Sequence, residues 1–157
     1  MKKFELTTEY ITFFEKKLFR IKALVSFGNV KKGELGGYIE KEKNLSQEGN
    51  AWVSGNAWVS GNAWVSGNAR VSGDARVSGN AWVYGDADYA TVKGFGSVYR
   101  NATFFRTEEK KVKVVCGCFY GTLEEFRKKV KETHGESKIA KEYLMVADLM
   151  EYHFEEK

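Results

Sequence analysis

Two histidines, two cysteines and a few carboxylates carry most of the reaction chemistry open to this chain. A general base must titrate near neutrality within hydrogen-bond reach of its substrate, a task that suits His134 and His153 by their ordinary pKa. Both lie near the C-terminus, whereas the middle of the chain offers only Asp74, Asp86 and Asp88. Cys116, Cys118, His134 and His153 could in principle supply two sulfurs and two nitrogens to zinc. The Cys-x-Cys spacing on a strand puts both thiols on one face beside Val112 and Val114, which is a core stripe, and a bridge between them would be badly strained. His134 closes a helix, where it suits the last carbonyls. Both cysteines therefore read as reduced thiols, and neither a metal nor another cofactor is expected. The stretch GFGSVYRNATFFR holds Ser97, Arg100, Thr103 and Arg106, which could gather around an anion through charge-assisted hydrogen bonds. The same stretch also reads as a passage from one lobe to the next.

The elements that must position these groups begin with a repeat. Valine recurs at 53, 59, 65, 71, 77 and 83 and alanine at 51, 57, 63, 69, 75, 81 and 87, with Gly-Asn or Gly-Asp in most gaps. Alternation along a strand sends Ala and Val to one side, and Ser and the residue between Ala and Val to the other. Gly followed by Asn or Asp suits a sharp corner, because these residues tolerate positive φ. Short strands and regular corners predict a β-solenoid. The unit Ala-x-Val-Ser-Gly-Asn resembles the hexapeptide repeat of left-handed β-helices, a family in which three units make one triangular coil. That resemblance implies that residues 18 apart stack. Outward Trp52 would lie on Arg70, Trp58 on Arg76 and Trp64 on Trp82. All six are interface candidates, with packing beneath the terminal segments as the alternative. Leu45 continues the alanine register backward.

Seven or so units cannot stand alone, because both ends would expose unpaired strand edges and apolar core. Upstream, KLFRIKALVSFGNVKKGELGGYIE reads as short strands and turns that cap the first coil. Downstream, ATFFRT and KVKVVCGCF form a hairpin pattern. Thr122 and Glu125 then make a capping box for a helix that stops at His134-Gly135. A second helix runs from about Ser137, with Ile139, Tyr143, Val146, Ala147 and Met150 as its apolar stripe. The expected fold is mainly β with a small α+β part: a cap over 1–44, a short left-handed solenoid over 45–92 and a ββαα lobe over 93–157.

Net charge is +4, and the excess sits at the start, where residues 1–44 carry ten Lys/Arg against six Asp/Glu. That footprint is small for nucleic acid, which is not expected as a partner. No apolar run reaches the length of a membrane span and no export signal opens the chain, so a cytoplasmic location is expected. The words LFRIKAL, GELGGYIE, NLSQEGNAWV and CGCFYGTLEEFRKKVKETHG resemble a group of phage and prophage hexapeptide-repeat proteins. The resemblance implies a phage or prophage neighbourhood more than an activity. Taken with coils that lack catalytic groups and with the outward tryptophans, it leads to the expectation of a non-enzymatic accessory binding protein, with counter-defence as the role, either occluding a host immune protein or sequestering a nucleotide signal. It also implies a homo-oligomer, dimer or trimer. Two alternatives remain: a hexapeptide-repeat acyltransferase, although this chain lacks a histidine on its coils, and a purely structural self-assembling protein.

Overall fold

The structure, a computed structural model, describes residues 2–97 and 100–155. The chain is mainly β, with a repeat β-solenoid region and two C-terminal helices. Strands β1 (Phe4–Phe13) and β2 (Lys16–Ala23) form an antiparallel hairpin, and β3 (Leu35–Ile39) pairs antiparallel with β2. Six two-residue strands follow at six-residue intervals: β4 (Trp52–Val53), β5 (Trp58–Val59), β6 (Trp64–Val65), β7 (Arg70–Val71), β8 (Arg76–Val77) and β9 (Trp82–Val83). They pair in parallel 18 residues apart, β4 with β7, β5 with β8 and β6 with β9. The Ala and Val positions from Ala51 to Val83 are at most 1% exposed, so the inward assignment of the repeat holds. The corner glycines Gly55, Gly61, Gly67, Gly73 and Gly79 have φ of 62 to 66°, the left-handed region that penalises a Cβ.

A coil of parallel strands has two different ends. The N–H of Trp52, Trp58 and Trp64 donates to the carbonyl of Ala69, Ala75 and Ala81, so the first coil turns its own carbonyls outward and the last coil its N–H groups. The first end is closed by donors. The backbone N–H of Tyr38 and Glu40 bonds to Ala57 O and Val59 O, and the buried Asn44 amide donates to Gly61 O and Ala63 O. The Lys3 ammonium reaches Ala51 O at 2.7 Å. The second end is closed by acceptors: the Asp86 carboxylate takes Arg70 N–H at 2.8 Å and the Thr103 hydroxyl takes Arg76 N–H at 3.0 Å.

The N-terminal hairpin continues directly into the solenoid, since β3 pairs in parallel with β5 (Tyr38 opposite Trp58, Ile39 opposite Val59). Gly36 and Gly37 permit that seam: a Cβ on either would lie 2.5 Å from a backbone oxygen, of Val53 and Ala57 respectively. Leu45 pairs with Val65 and fills a valine position rather than the expected alanine one. The reason is a first corner two residues longer than the rest, through Gln47 and Glu48, which frees the Gln47 amide to bond the N–H groups of Lys3 and Phe4.

The C-terminal lobe holds an antiparallel meander, β10 (Tyr89–Val92), β11 (Ala102–Arg106), β12 (Val112–Cys116) and β13 (Phe119–Thr122), followed by α1 (Leu123–His134) and α2 (Lys138–His153). It thus carries two more strands than the expected hairpin, one of them before residue 93. One sheet face, with Ala102, Phe104 and Val114, packs on Phe126, Tyr143 and Met150 of the helices. The other brings Phe105 and Val115 into the solenoid core. The Thr122 hydroxyl accepts from Glu125 N–H at the start of α1, as its capping box predicts, and Ser137 caps α2. Among the described residues no helix is long and apolar enough to cross a membrane.

Candidate functional site: a cationic cleft between the lobes

The face built by β5 and β8 is overhung from both sides. The tip of the β1–β2 hairpin turns through Phe14 and Glu15, both at left-handed φ, and lays Phe13 against Trp58 with ring centroids 4.7 Å apart. The β12–β13 turn brings Gly117 in from the other lobe. Two adjoining compartments result, with Trp58 and Gly117 lining both. One, about 280 Å³, is lined mostly by apolar groups including Phe14, Leu18, Val115, Phe119 and Tyr120. The other, about 450 Å³, holds Arg76, Arg100 and Lys93, with Asp74, Asn56 and Asn101.

Arg76 stacks on Trp58, its guanidinium carbon 4.4 Å from the ring centroid, with Phe13 at 5.4 Å. Burial and the charge of Arg100 hold its pKa below the ordinary arginine value. Lys93 pairs with Asp74 at 2.9 Å at the open rim. Arg100 also borders a third cleft, of about 230 Å³, together with Ser97, Cys116, Lys129, His134 and Tyr143. Burial pushes the Cys116 thiol up and the Tyr143 phenol up to about 12.

The four residues expected around an anion do not make one site. Ser97 and Arg100 share the third cleft. Thr103 is fully buried and spends its hydroxyl on Arg76 N–H and on Asn101. Arg106 binds Asp88 at 3.1 Å and Phe154 O at 3.0 Å. Strand alternation separates these last two, because Thr103 faces the solenoid with Phe105 while Arg106 follows Phe104 to the helix side. Val98 and Tyr99, within the same stretch, lie outside the described residues. Arg76 and Lys93 join Arg100 instead. The sequence signal for Arg76 is its 18-residue stacking register with Trp58, which marks the pair as an interface candidate or as packed beneath a terminal segment but does not show that a cleft forms around it.

The outward tryptophans divide in two. Trp52 is 1% exposed and edge-on to Phe27, and Trp58 is 9% exposed beneath Phe13, so for these two the N-terminal segment supplies the cover. Arg70 sits opposite Trp52 in register, and Arg76 lies on Trp58 as the 18-residue spacing requires. Trp64 and Trp82 stack at 5.7 Å and remain 39% and 47% exposed. Cys116 ends β12 while Cys118 lies in the following turn, exposed; both are free thiols. His134 packs on Tyr143 and His153 on Phe154, both in the C-terminal lobe and away from the coils. Among the described residues no three His, Cys, Asp or Glu side chains come together in a way that could hold a metal ion.

A family model described as the YdcK Beta solenoid repeat matches residues 51–67, 63–76 and 69–85. A comparison with curated proteins finds no match. The similarity lies wholly within the coils and supports a β-solenoid repeat over residues 51–85, between two lobes to which the match does not extend.

Proposed function

We propose that this chain is a non-enzymatic accessory protein of a phage or prophage, and that it acts by binding, as a counter-defence factor in the host cytoplasm. It does so by covering a host immune protein or by withdrawing a nucleotide signal. In this reading the solenoid is of the left-handed hexapeptide type, which its six-residue faces and positive-φ corner glycines fit. The molecule self-associates as a symmetric dimer or trimer. The observation that carries the reading is the Trp64–Trp82 pair, two stacked and half-exposed rings on a face where Tyr84 also stands in solvent. Aromatic rings with a polar rim are the usual centre of a protein interface. The nucleotide form of the reading draws on a second observation, the cationic cleft.

Two measurements test it. Light scattering at tens of micromolar should give a dimer or trimer mass, and the double change Trp64→Ser with Trp82→Ser should lower that mass while circular dichroism keeps its β signal. A monomeric wild type removes the interface. Expression in bacterial hosts carrying defined immune systems should restore plating of a restricted phage; no restoration in any of them ends the counter-defence role.

A further inference from the structure

The described arginines fall into two kinds. Arg20, Arg106 and Arg127 each hold a carboxylate, of Glu9, Asp88 and Glu124 respectively, at 2.7 to 3.1 Å. Arg70, Arg76 and Arg100 hold none at such distance, and of these Arg76 and Arg100 line the larger compartment together. Like charges brought together in a half-buried site oppose folding, and the stacking of Arg76 on Trp58 fixes one of them there. The seat of Arg100 is also specific. Its guanidinium lies against Gly117 so closely that a Cβ there would collide with it. One planar fork, Arg76, is thus fixed by stacking, and a second, the exposed Arg100, lines the same cavity, with no carboxylate held by either; two such forks suit a phosphoryl group.

From this juxtaposition of Arg76, Arg100 and Lys93 in one cavity, we infer that the cleft binds a phosphate monoester with an aromatic or apolar body, the class whose simplest member is a nucleoside monophosphate. The inference rests on the binding-protein reading and names the ligand class for its nucleotide form. Charge fits the class: three cations against Asp74 leave two net positive charges, the complement of a phosphate monoester dianion. Size and polarity fit as well. The cationic compartment is much larger than inorganic phosphate requires, with the Asn56 and Asn101 amides in its wall, and it adjoins the apolar compartment across Trp58. The phosphoryl group sits between Arg76 and Arg100, Lys93 leaves Asp74 to approach it from the rim, and the apolar body lies beyond Trp58.

Isothermal titration of the full chain with adenosine monophosphate, adenosine and inorganic phosphate tests this. Adenosine monophosphate should bind at least about tenfold more tightly than either fragment, and binding should weaken as salt is raised. Arg100→Gln should lose about tenfold or more in affinity without lowering the melting temperature of the free protein, since it relieves a repulsion. Gly117→Ala should weaken binding in the same direction by displacing Arg100, and a normal circular dichroism spectrum shows that either variant is folded. Absence of heat with millimolar adenosine monophosphate overturns the inference, as does unchanged affinity in Arg100→Gln. Phosphate binding as tightly as the nucleotide overturns the apolar half of it. If plating is restored but no nucleotide binds, the ligand class falls while the counter-defence reading stands; nucleotide binding without restored plating does the reverse.

Discussion

The two ends of the solenoid solve opposite chemical problems. At the first end the coil presents carbonyl oxygens, and the chain answers with donors: β3 N–H groups, the Asn44 amide and the Lys3 ammonium. At the last end it presents N–H groups, and the chain answers with the Asp86 carboxylate and the Thr103 hydroxyl. One end also gains a true strand partner, while the other gains side chains and a short bridge between Ala81 and Thr107. The difference teaches that the two caps of a parallel coil are not interchangeable. A lysine suits the opening end and a carboxylate the closing end, because chain direction decides which half of the peptide group is left over.

The comparison can be broken first at its middle. Val71→Asp puts a carboxylate without a partner into the core that both ends enclose, and should unfold the protein, at a cost of several kcal/mol; an unchanged thermal midpoint would mean that the inward assignment is wrong. Next comes the opening end. Asn44→Leu deprives two carbonyls of their donor and Lys41 N–H of its acceptor, and should cost about 3 kcal/mol in urea unfolding. Thr103→Val, which leaves the Arg76 N–H without an acceptor and the Asn101 side-chain oxygen without the hydroxyl's donation, should cost about 1 to 2 kcal/mol. If the closing-end change proves the costlier of the two, the side-chain cap matters more than the strand seam.

The smallest effect sharpens the contrast by pH. Burial pushes the Lys3 pKa down from 10.5 to about 8. Between those values the unfolded chain holds more protons at this position than the folded one, so this lysine's contribution makes stability rise with pH across that window. Lys3→Met should flatten that rise relative to wild type in pH-dependent unfolding curves, with no matching change for a closing-end variant such as Asp86→Asn.

The coils were legible because a strict period ties each side chain to a place. Val71 could point only inward, and the Arg76–Trp58 stack follows from the 18-residue spacing once the coil has three sides. The α1 cap was equally readable, since Thr122 and Glu125 act within one turn. Leu45 was misplaced by two residues, because Gln47 and Glu48 lengthen a corner that the period alone makes uniform. The site was only partly readable. Ser97, Arg100, Thr103 and Arg106 are neighbours in sequence, but a strand sends Thr103 and Arg106 to opposite faces, and the residues that join Arg100 come from a coil and from the rim. Nothing in the local pattern around Trp58 reveals that a hairpin tip and a second lobe close over it. That is decided by lobe docking, through long-range contacts such as Phe13 on Trp58.

The stacking of β5 on β8 has a consequence for what the cleft can admit. Phe13 approaches from the side of the first coil and Gly117 from the side of the last, so the gap between them is gauged by how many coils stand in between. Each added coil would raise one jaw by about 4.8 Å without disturbing either cap. A chain with one coil more between its ends would keep both caps, but Trp58 and Arg76 would then stand two coils apart and no longer stack, so the present coil number is what brings the arginine onto the ring.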